Sequence, residues 1–531
     1  MNNREEPLVC LSNLNEVDEL DQTEEPIVDK AEDDLFCPPL SSRLAKSNEK
    51  SCPAQPAPNY RLYAVYCVEL IPAFVAGTQL TYGTIALPAH QLDHSFIKLD
   101  IEIGSWFVSL LSIFIVLGSL FSGLMSSLLG RRLCLFVANN FVLLGLMALH
   151  VAWSAHFLLV GRILCGFGSG LGLPTSYLFL HESAIPRHRS ALAAWNIFSL
   201  NCGNLFSLVL GWVVPYPWMP FTCAVPCLIF CLCIFKVPES PVFLLERRKE
   251  PQAKENLINL WRDKEIALLE MACLKAHLAT HLSHDSWVVS LGKRLTWHNF
   301  KYMSMVCVLM LIQSFSGSDT VYNYIILIAQ MAHFSMNENL ISVLHQCGFN
   351  LGFIVAPFLV KHTRRKTHFL YASIGITIAS LLLALGMSHH DLGERFPEHS
   401  FLLFQFLPAI SICLYSFFYG CGIGSVPYTM MGELLPDAIR NMGNSLAMLF
   451  RYGSVFILLK QFPAMTSTMG LNGLFLFHAC CCAMGAIFVQ FLVPETKPID
   501  TLNDSIEGCP APKTIHHQES VKTMEIDLDE L

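Results

Sequence analysis

The chain has 531 residues, of which 53% are hydrophobic and only 14% are charged, and its mean hydropathy is +0.46. These values lie outside the usual range of soluble globular proteins and predict a protein embedded in a lipid bilayer. The formal net charge of −8 comes largely from the two ends of the chain. It therefore indicates no nucleic-acid partner and says little about other partners.

The chain begins with an acidic stretch, which we interpret as a disordered cytoplasmic tail over residues 1–60. This stretch lacks the apolar core of a signal peptide, so nothing there suggests cleavage. We interpret residues 496–531 as a second cytoplasmic tail, and both tails could recruit cytosolic partners. Most of the 20 cysteines lie inside apolar runs, where free thiols pack as small hydrophobic groups. We therefore expect neither a disulfide framework nor a metal site, even in HACCCAMG at 478–485.

Twelve apolar runs lie between the tails, each long enough to cross a hydrocarbon core of about 30 Å as a helix. The sequence therefore predicts an all-α membrane protein with twelve transmembrane helices. The runs are 62–86, 104–129, 133–154, 157–180, 190–214, 217–237, 301–329, 339–360, 367–388, 401–431, 441–463 and 471–493.

Lysine and arginine gather in alternate connections between these runs, as in GRRL after the second run and KHTRRK after the eighth. By the positive-inside rule these basic connections are cytoplasmic. An even number of crossings then places both tails in the cytoplasm as well.

Three short motifs occur in the same order in each half of the chain. GRR at 130–132 is matched by TRRK at 363–366, HESAIPRHR at 181–189 by GELLPDAIR at 432–440, and VPES at 237–240 by VPET at 493–496. The repetition predicts two six-helix bundles, over 61–237 and 298–495, joined by a cytoplasmic helical linker over 238–297. Parallel repeats of this kind place a solute site between the bundles, near the middle of the membrane.

These and further motifs resemble the sugar porter branch of the major facilitator superfamily. The resemblance rests on GRILCGFGSG at 161–170, PESPVFLLERRK at 238–249, QSFSGSDTVYNY at 313–324 and VPETK at 493–497. VPYTMMGELLPDAIR at 426–440 is similar to the insect facilitated trehalose transporters within that branch. The resemblance implies the major facilitator fold, with two six-helix bundles that alternate access to a central sugar site.

Two groups of residues have expected roles outside the sugar site. Gly166 and Gly170 share one helix face, as do Gly168 and Gly172, and we expect both faces to serve close helix packing. For the charged residues at cytoplasmic helix ends, the resemblance implies salt bridges that hold the bundles shut on the inside. These residues are Arg131, Arg132, Glu182, Arg189, Glu433 and Arg440.

At the implied sugar site the chain departs from the family pattern. The family's sugar-contacting glutamine falls on Ile197, its second glutamine in the seventh helix is a serine, and its asparagine there is Asp319. Its Asn-Trp pair in the eleventh helix is replaced by Arg451 and Tyr452. The full set of candidate binding residues is Asn196, Ile197, Gln313, Ser314, Asp319, Tyr428, Arg451 and Tyr452.

Arg451 lies near the middle of an apolar helix, where a charge costs about 2.5 to 3.5 kcal/mol and almost always finds an interior partner. Because Asp319 maps to the same cavity wall, we hypothesise that the two residues form an ion pair or a water-bridged pair at the solute site. Two alternatives remain. Arg451 could extend towards one face of the membrane while Asp319 meets water separately, or the two charges could bind a charged solute.

The superfamily signature in the second helix is also altered. Ser127 stands where an acid belongs, and the repeat of this signature has Lys361 and Arg364 in place of the acid and the glycine. Both acid-based cytoplasmic interlocks are therefore weakened. We expect either a carrier biased away from outward opening or one that no longer cycles normally.

The leading functional hypothesis is a facilitative carrier of a sugar, trehalose or a hexose, in the plasma membrane. Proton coupling is the weaker option, because the only acid in the first helix, Glu69, is expected to be interfacial. The alternatives are a transport-deficient sensor and a carrier of a charged organic solute that uses Asp319 and Arg451. We expect no enzyme and no cofactor, because no nucleophile elbow, phosphate loop or metal-ligand spacing occurs.

Overall fold

A computed structural model describes residues 60–91, 97–262, 264–281, 297–332, 336–391, 398–435 and 439–495. Apart from residue 60, the two predicted tails lie outside these ranges. Every regular element within them is helical.

The first half contributes six long helices in the order that the hydropathy pattern predicts. Proline occurs inside the first, fourth and sixth of them and is tolerated, because neighbouring membrane helices can satisfy the backbone groups that it frees. The helices are α1 Tyr60–Gln91, α2 Ile101–Leu129, α3 Arg131–His150, α4 Ala155–Ser183, α5 Arg189–Val213 and α6 Met219–Cys233.

Three shorter helices form the linker: α7 Pro241–Glu246, α8 Glu250–Trp261 and α9 Lys264–His281. Ser240 caps α7 through its hydroxyl, which accepts a hydrogen bond from the Phe243 amide over 3.4 Å. Leu257 and Trp261 bury one face of α8, and the indole N–H of Trp261 donates to the Ser183 carbonyl over 2.9 Å. The linker is therefore packed against the end of α4.

In the second half, three of the spans deviate from a simple helix. The seventh span is broken at Gly317 into α10 and α11, and the tenth has a π-helical segment, Tyr419–Ile423, before α15. The last helix contains Gly470 in a non-helical conformation, with φ 70° and ψ 173°, which divides it into the eleventh and twelfth spans. The helices are α10 Trp297–Phe315, α11 Ser318–Met331, α12 Glu338–His362, α13 Arg365–Asp391, α14 Glu398–Phe418, α15 Val426–Leu434 and α16 Arg440–Leu492.

Eleven of these helical stretches are long and apolar enough to cross a membrane, and the last of them contains two spans on either side of Gly470. The prediction of twelve membrane helices in two six-helix bundles is therefore confirmed. Only the continuity of the seventh and tenth spans differs from the sequence-based prediction, because hydropathy does not detect a local break.

The glycines of α4 explain how three helices approach one another closely. A Cβ atom at Gly166 or Gly170 would meet the backbone of α2 at Leu111 or Ile115. A Cβ atom at Gly168 would instead meet α3, at Ala138 and Val142. These three glycines therefore let α4 fit between α2 and α3, and the predicted packing role is confirmed for them. A Cβ atom at Gly172 would meet only the Ala138 Cβ at 3.7 Å, an ordinary contact, so close packing does not require a glycine there.

Replacement of Gly170 by alanine should destabilise the first bundle by about 1 to 3 kcal/mol, because the new methyl group collides with the Ile115 carbonyl. The matched control is Gly123→Ala in α2, where an added Cβ meets nothing within 4 Å and alanine favours the helix. Thermal unfolding in detergent measures both variants. Equal melting temperatures for the two would contradict this account of α4 packing.

Candidate functional site

The ion pair expected between Arg451 and Asp319 is present. Arg451 lies in α16, and 5% of its surface is exposed. Its Nη2 lies 3.0 Å from Oδ1 and 2.8 Å from Oδ2 of Asp319 on α11. The guanidinium therefore points into the second bundle, and the alternative of an arginine that extends towards the membrane surface is wrong.

Two further residues of the seventh span complete the surroundings of the guanidinium. Nε donates to the Gln313 Oε1 over 3.2 Å, and Nη1 donates to the Ser314 hydroxyl over 3.0 Å. Gln313 in turn donates through its amide to the Gly424 carbonyl over 3.2 Å. Every nitrogen of Arg451 thus has an acceptor from a short segment around the break between α10 and α11.

The break itself brings Asp319 to this position. Gly317 has φ +87°, which α10 cannot continue through, and α11 restarts at Ser318 with Asp319 in its first turn. The first turn of a helix has free N–H groups and a positive dipole end, both of which stabilise a carboxylate. Asp319 is therefore stabilised by its own helix as well as by Arg451.

Two side chains that the sequence reading did not assign to the site stabilise the break. The His478 Nδ1 lies 2.9 Å from the Phe315 carbonyl, and the Tyr415 hydroxyl donates to the Ser316 carbonyl over 2.7 Å. The His478 ring also fills the space where a side chain at Gly317 would lie. These contacts satisfy carbonyls near the break that would be costly to leave unpaired inside a membrane.

Aromatic side chains adjoin the ion pair. The guanidinium carbon of Arg451 lies 5.9 Å from the centre of the Tyr452 ring, and Tyr452 and Tyr428 are both half-buried. The Asp319 side chain is 23% exposed, compared with 7% for that of Arg451. A solute that enters beside the pair can therefore reach the carboxylate more readily than the guanidinium.

The two candidate residues of the first bundle have other surroundings. Asn196 is buried on α5, where its Oδ1 accepts a hydrogen bond from the Ser176 hydroxyl over 3.3 Å. Ile197 is 49% exposed. Five of the eight candidate residues therefore come together: Arg451 and its contacts Gln313, Ser314, Asp319 and Tyr452. Tyr428 is half-buried on α15. Asn196 and Ile197 stay predictions from the family pattern alone.

Glu69 lies at the helix end that the sequence predicts, beside Ser183 at the end of α4, but its side chain is completely buried within the protein. Its Oε2 accepts a hydrogen bond from the Ser183 hydroxyl over 2.8 Å, and its Oε1 accepts none from the described residues. The sequence around Glu69 does not reveal this burial, because the burial depends on which face of α1 packs against α4.

The three duplicated motifs of the first half meet in one charge cluster. Arg131 donates to both oxygens of Glu182, each over 2.9 Å, and its Nη1 lies 3.2 Å from Glu246 Oε2. The Glu239 Oε1 accepts from the backbone N–H groups of Arg131 and Arg132, over 3.0 and 3.2 Å. Glu239 thus stabilises the start of α3 as a carboxylate at a helix N-terminus.

The second half repeats this arrangement. Arg365 lies 3.0 Å from Glu433 Oε1, and Glu495 accepts from the backbone N–H groups of Arg365 and Lys366, over 2.9 and 3.3 Å. Arg365, Glu239 and Glu495 were absent from the predicted gate. Alignment of TRRK with GRR pairs Arg365 with Arg131, so the repeat itself predicts that Arg365 has the role of Arg131 in the second half.

Each cluster forms its ion pairs within its own bundle and the segment that adjoins that bundle. In the first half, Arg189 also binds the linker residue Glu270, with Nη2 2.6 Å from Oε1. The side chain of Arg440 lies outside the described part of the chain. A gating role for the predicted residues stays a prediction, because these ion pairs do not join the two bundles to each other.

Among the described residues, no group of three or more His, Cys, Asp or Glu side chains is placed to hold a metal ion.

Residues 72–503 match the family model described as "Sugar (and other) transporter". The chain belongs to this sugar transporter family. The family model describes a transporter rather than an enzyme, and the twelve spans make this member a multi-pass membrane protein.

Relatives within the family include facilitated trehalose transporters Tret1. The Tret1 of Aedes aegypti is 27% identical over 80% of this chain and 52% of its own length, and that of Culex quinquefasciatus is 27% identical over 80% and 81%. The chain thus spans about half the length of the Aedes protein. An inward-open structure of the xylose transporter XylE from E. coli has a TM-score of 0.69 at 18% identity, covering 84% of this chain and 99% of XylE. The resemblance to sugar porters is therefore confirmed.

Removal of one charge from the central pair should cost more stability than removal of both. Asp319→Asn leaves the buried guanidinium unpaired and Arg451→Asn leaves the carboxylate unpaired, each at a cost of about 3 to 5 kcal/mol. The double variant leaves neither charge. Thermal unfolding and surface expression should therefore rank the double variant above both single variants. The pairing account is wrong if both single variants match the wild type and are no worse than the double variant.

Proposed function

We propose that the chain is a facilitative carrier of a neutral sugar, trehalose or a hexose, which alternates access to a site beside Asp319. The observation that carries the proposal is the mutual neutralisation of Asp319 and Arg451, whose charged atoms lie 2.8 Å apart. The pair adds no net charge to the site. Its more accessible member is a carboxylate, which accepts hydrogen bonds from hydroxyl groups.

The same geometry disfavours a carrier of charged solutes. Each charge already has its partner, and Arg451 is further engaged by Gln313 and Ser314. A charged solute would have to break this network and leave a buried charge without its partner. A hydroxyl group needs only a free lone pair on Asp319, and nearby Tyr428 and Tyr452 supply the aromatic surface that is common in small-molecule sites.

The cytoplasmic clusters support a cycling carrier over a transport-deficient sensor. Although Ser127 and Lys361 replace acids of the family signature, each half retains an arginine paired with a glutamate at a helix end. Arg247 also donates to the Ser127 and Leu128 carbonyls, over 3.2 and 2.9 Å, and so holds the end of α2 to the linker. Within each bundle, the helix ends therefore remain joined to one another, as a bundle that moves as a rigid unit requires.

Facilitative transport is favoured over proton coupling, because the acid at the site is already held in an ion pair with Arg451. Glu69 contacts Ser183 at the basic-loop end of α4, away from this pair. The basic connections support the proposed orientation, with both termini in the cytoplasm. The plasma membrane as the location stays a prediction from the resemblance to sugar porters.

Oocytes that express the chain should show saturable uptake of radiolabelled trehalose or glucose that is insensitive to external pH. At matched surface levels, Asp319→Asn should lower the ratio of maximal rate to half-saturating concentration by about 10- to 100-fold, because a hydrogen bond to a charged acceptor is lost. Tyr371→Phe, on an exposed side chain of α13, is the control and should leave uptake unchanged. Binding without uptake would favour the sensor, and uptake of charged solutes alone would favour the ion carrier.

A further inference from the structure

The two bundles contact each other directly on the side opposite the charge clusters, which we call the outer side. Lys460 lies on this side, because it follows Arg440 by roughly 30 Å along α16 at about 1.5 Å per residue. Ser105 lies near the start of α2, at the opposite end from the basic connection at 130–132. The Thr84 hydroxyl of α1 also reaches across, donating to the Tyr322 carbonyl of α11 over 3.0 Å.

Lys460 of the second bundle makes two contacts with the first. Its Nζ donates to the Ser105 hydroxyl over 2.9 Å and lies 4.6 Å from the centre of the Trp106 ring. The Trp106 ring lies in turn 5.9 Å from the Phe456 ring, one turn before Lys460 on α16. The ammonium group is thus held between a hydroxyl group and the face of an indole ring.

The surroundings of Lys460 make this contact dependent on the conformation of the carrier. Among the described residues, no carboxylate lies within ion-pair distance of its ammonium group. The indole ring and the Ser105 hydroxyl are its contacts instead, and they replace part of its hydration shell. A half-buried cation gains more from an aromatic face than an exposed one does. When the outer ends separate, the lysine regains water and the contact is lost, so the contact favours only the closed outer side.

We propose that Lys460 and Trp106 form an outer latch, a positioning pair that favours the state open towards the basic connections. The latch rests on the alternating access of the proposed function. It involves a single cation on one bundle and a single aromatic ring on the other. Its loss should therefore shift the balance between the two states without altering the solute site at Asp319.

The latch can be tested by labelling a reporter cysteine in the full-length protein at the oocyte surface. Thr84→Cys suits this purpose, because Thr84 is buried where the bundles meet and becomes accessible only when the outer side opens. A membrane-impermeant methanethiosulfonate reagent is applied outside. The same chain with Thr84 intact gives the background from native cysteines.

Lys460→Met and Trp106→Leu should each raise the labelling rate of the reporter by about tenfold, as expected for loss of one partly desolvated cation–π contact. Lys460→Arg keeps a cation over the ring and should restore the parent rate. The control is Trp153→Leu, an exposed tryptophan that stacks on Phe157 of its own bundle with ring centres 4.4 Å apart, and it should change nothing.

Labelling at the parent rate in both latch variants, at normal surface levels, would overturn the proposal. An equal increase in Trp153→Leu would overturn it too. If Lys460→Met fails to reach the surface, Trp106→Leu tests the same contact with the lysine in place. Labelling needs no transported solute, so altered rates without sugar uptake would contradict the proposed function and leave the latch intact.

Discussion

A positive charge buried in a membrane protein must be satisfied from within, and at the candidate site this charge is that of Arg451. The break at Gly317 makes this possible, because it ends α10, restarts α11 and places Asp319 in a first helical turn that faces the guanidinium. His478 and Tyr415 accommodate the carbonyls that the break exposes. Without the break, the carboxylate would lack its helix N-terminus. Without the carboxylate, the arginine would be an unpaired buried charge.

The resulting site differs from the family pattern, in which neutral glutamine and asparagine side chains bind the hydroxyl groups of the sugar. An arginine held behind an aspartate orients that carboxylate and cancels its charge, so a charged pair is compatible with a neutral sugar. The two charge clusters show the effect of the duplication. In each half a glutamate stabilises the start of a helix, beside an arginine that pairs with a glutamate from a neighbouring helix.

The sequence was sufficient for the parts that depend on hydropathy and charge alone. Twelve spans, two bundles and the pairing of Arg451 with Asp319 could be predicted, because a mid-helix charge has few places to go. Glu69, His478 and Lys460 could not, because their surroundings depend on how each helix is rotated and on a break that hydropathy does not register. The partners of Glu182 and Glu433 were likewise missed in part. The resemblance implied contacts between the bundles, whereas these glutamates pair with Arg131 and Arg365 of their own bundles.

The most direct measurement is an experimental structure of the full chain in lipid nanodiscs, at a resolution that shows side chains around the broken seventh span. We expect the Arg451 guanidinium within hydrogen-bonding distance of the Asp319 carboxylate, as in the 2.8 Å contact here, with Gln313 and Ser314 on its other nitrogens. A guanidinium turned towards the lipid tails, or an aspartate directed away from it, would contradict the account.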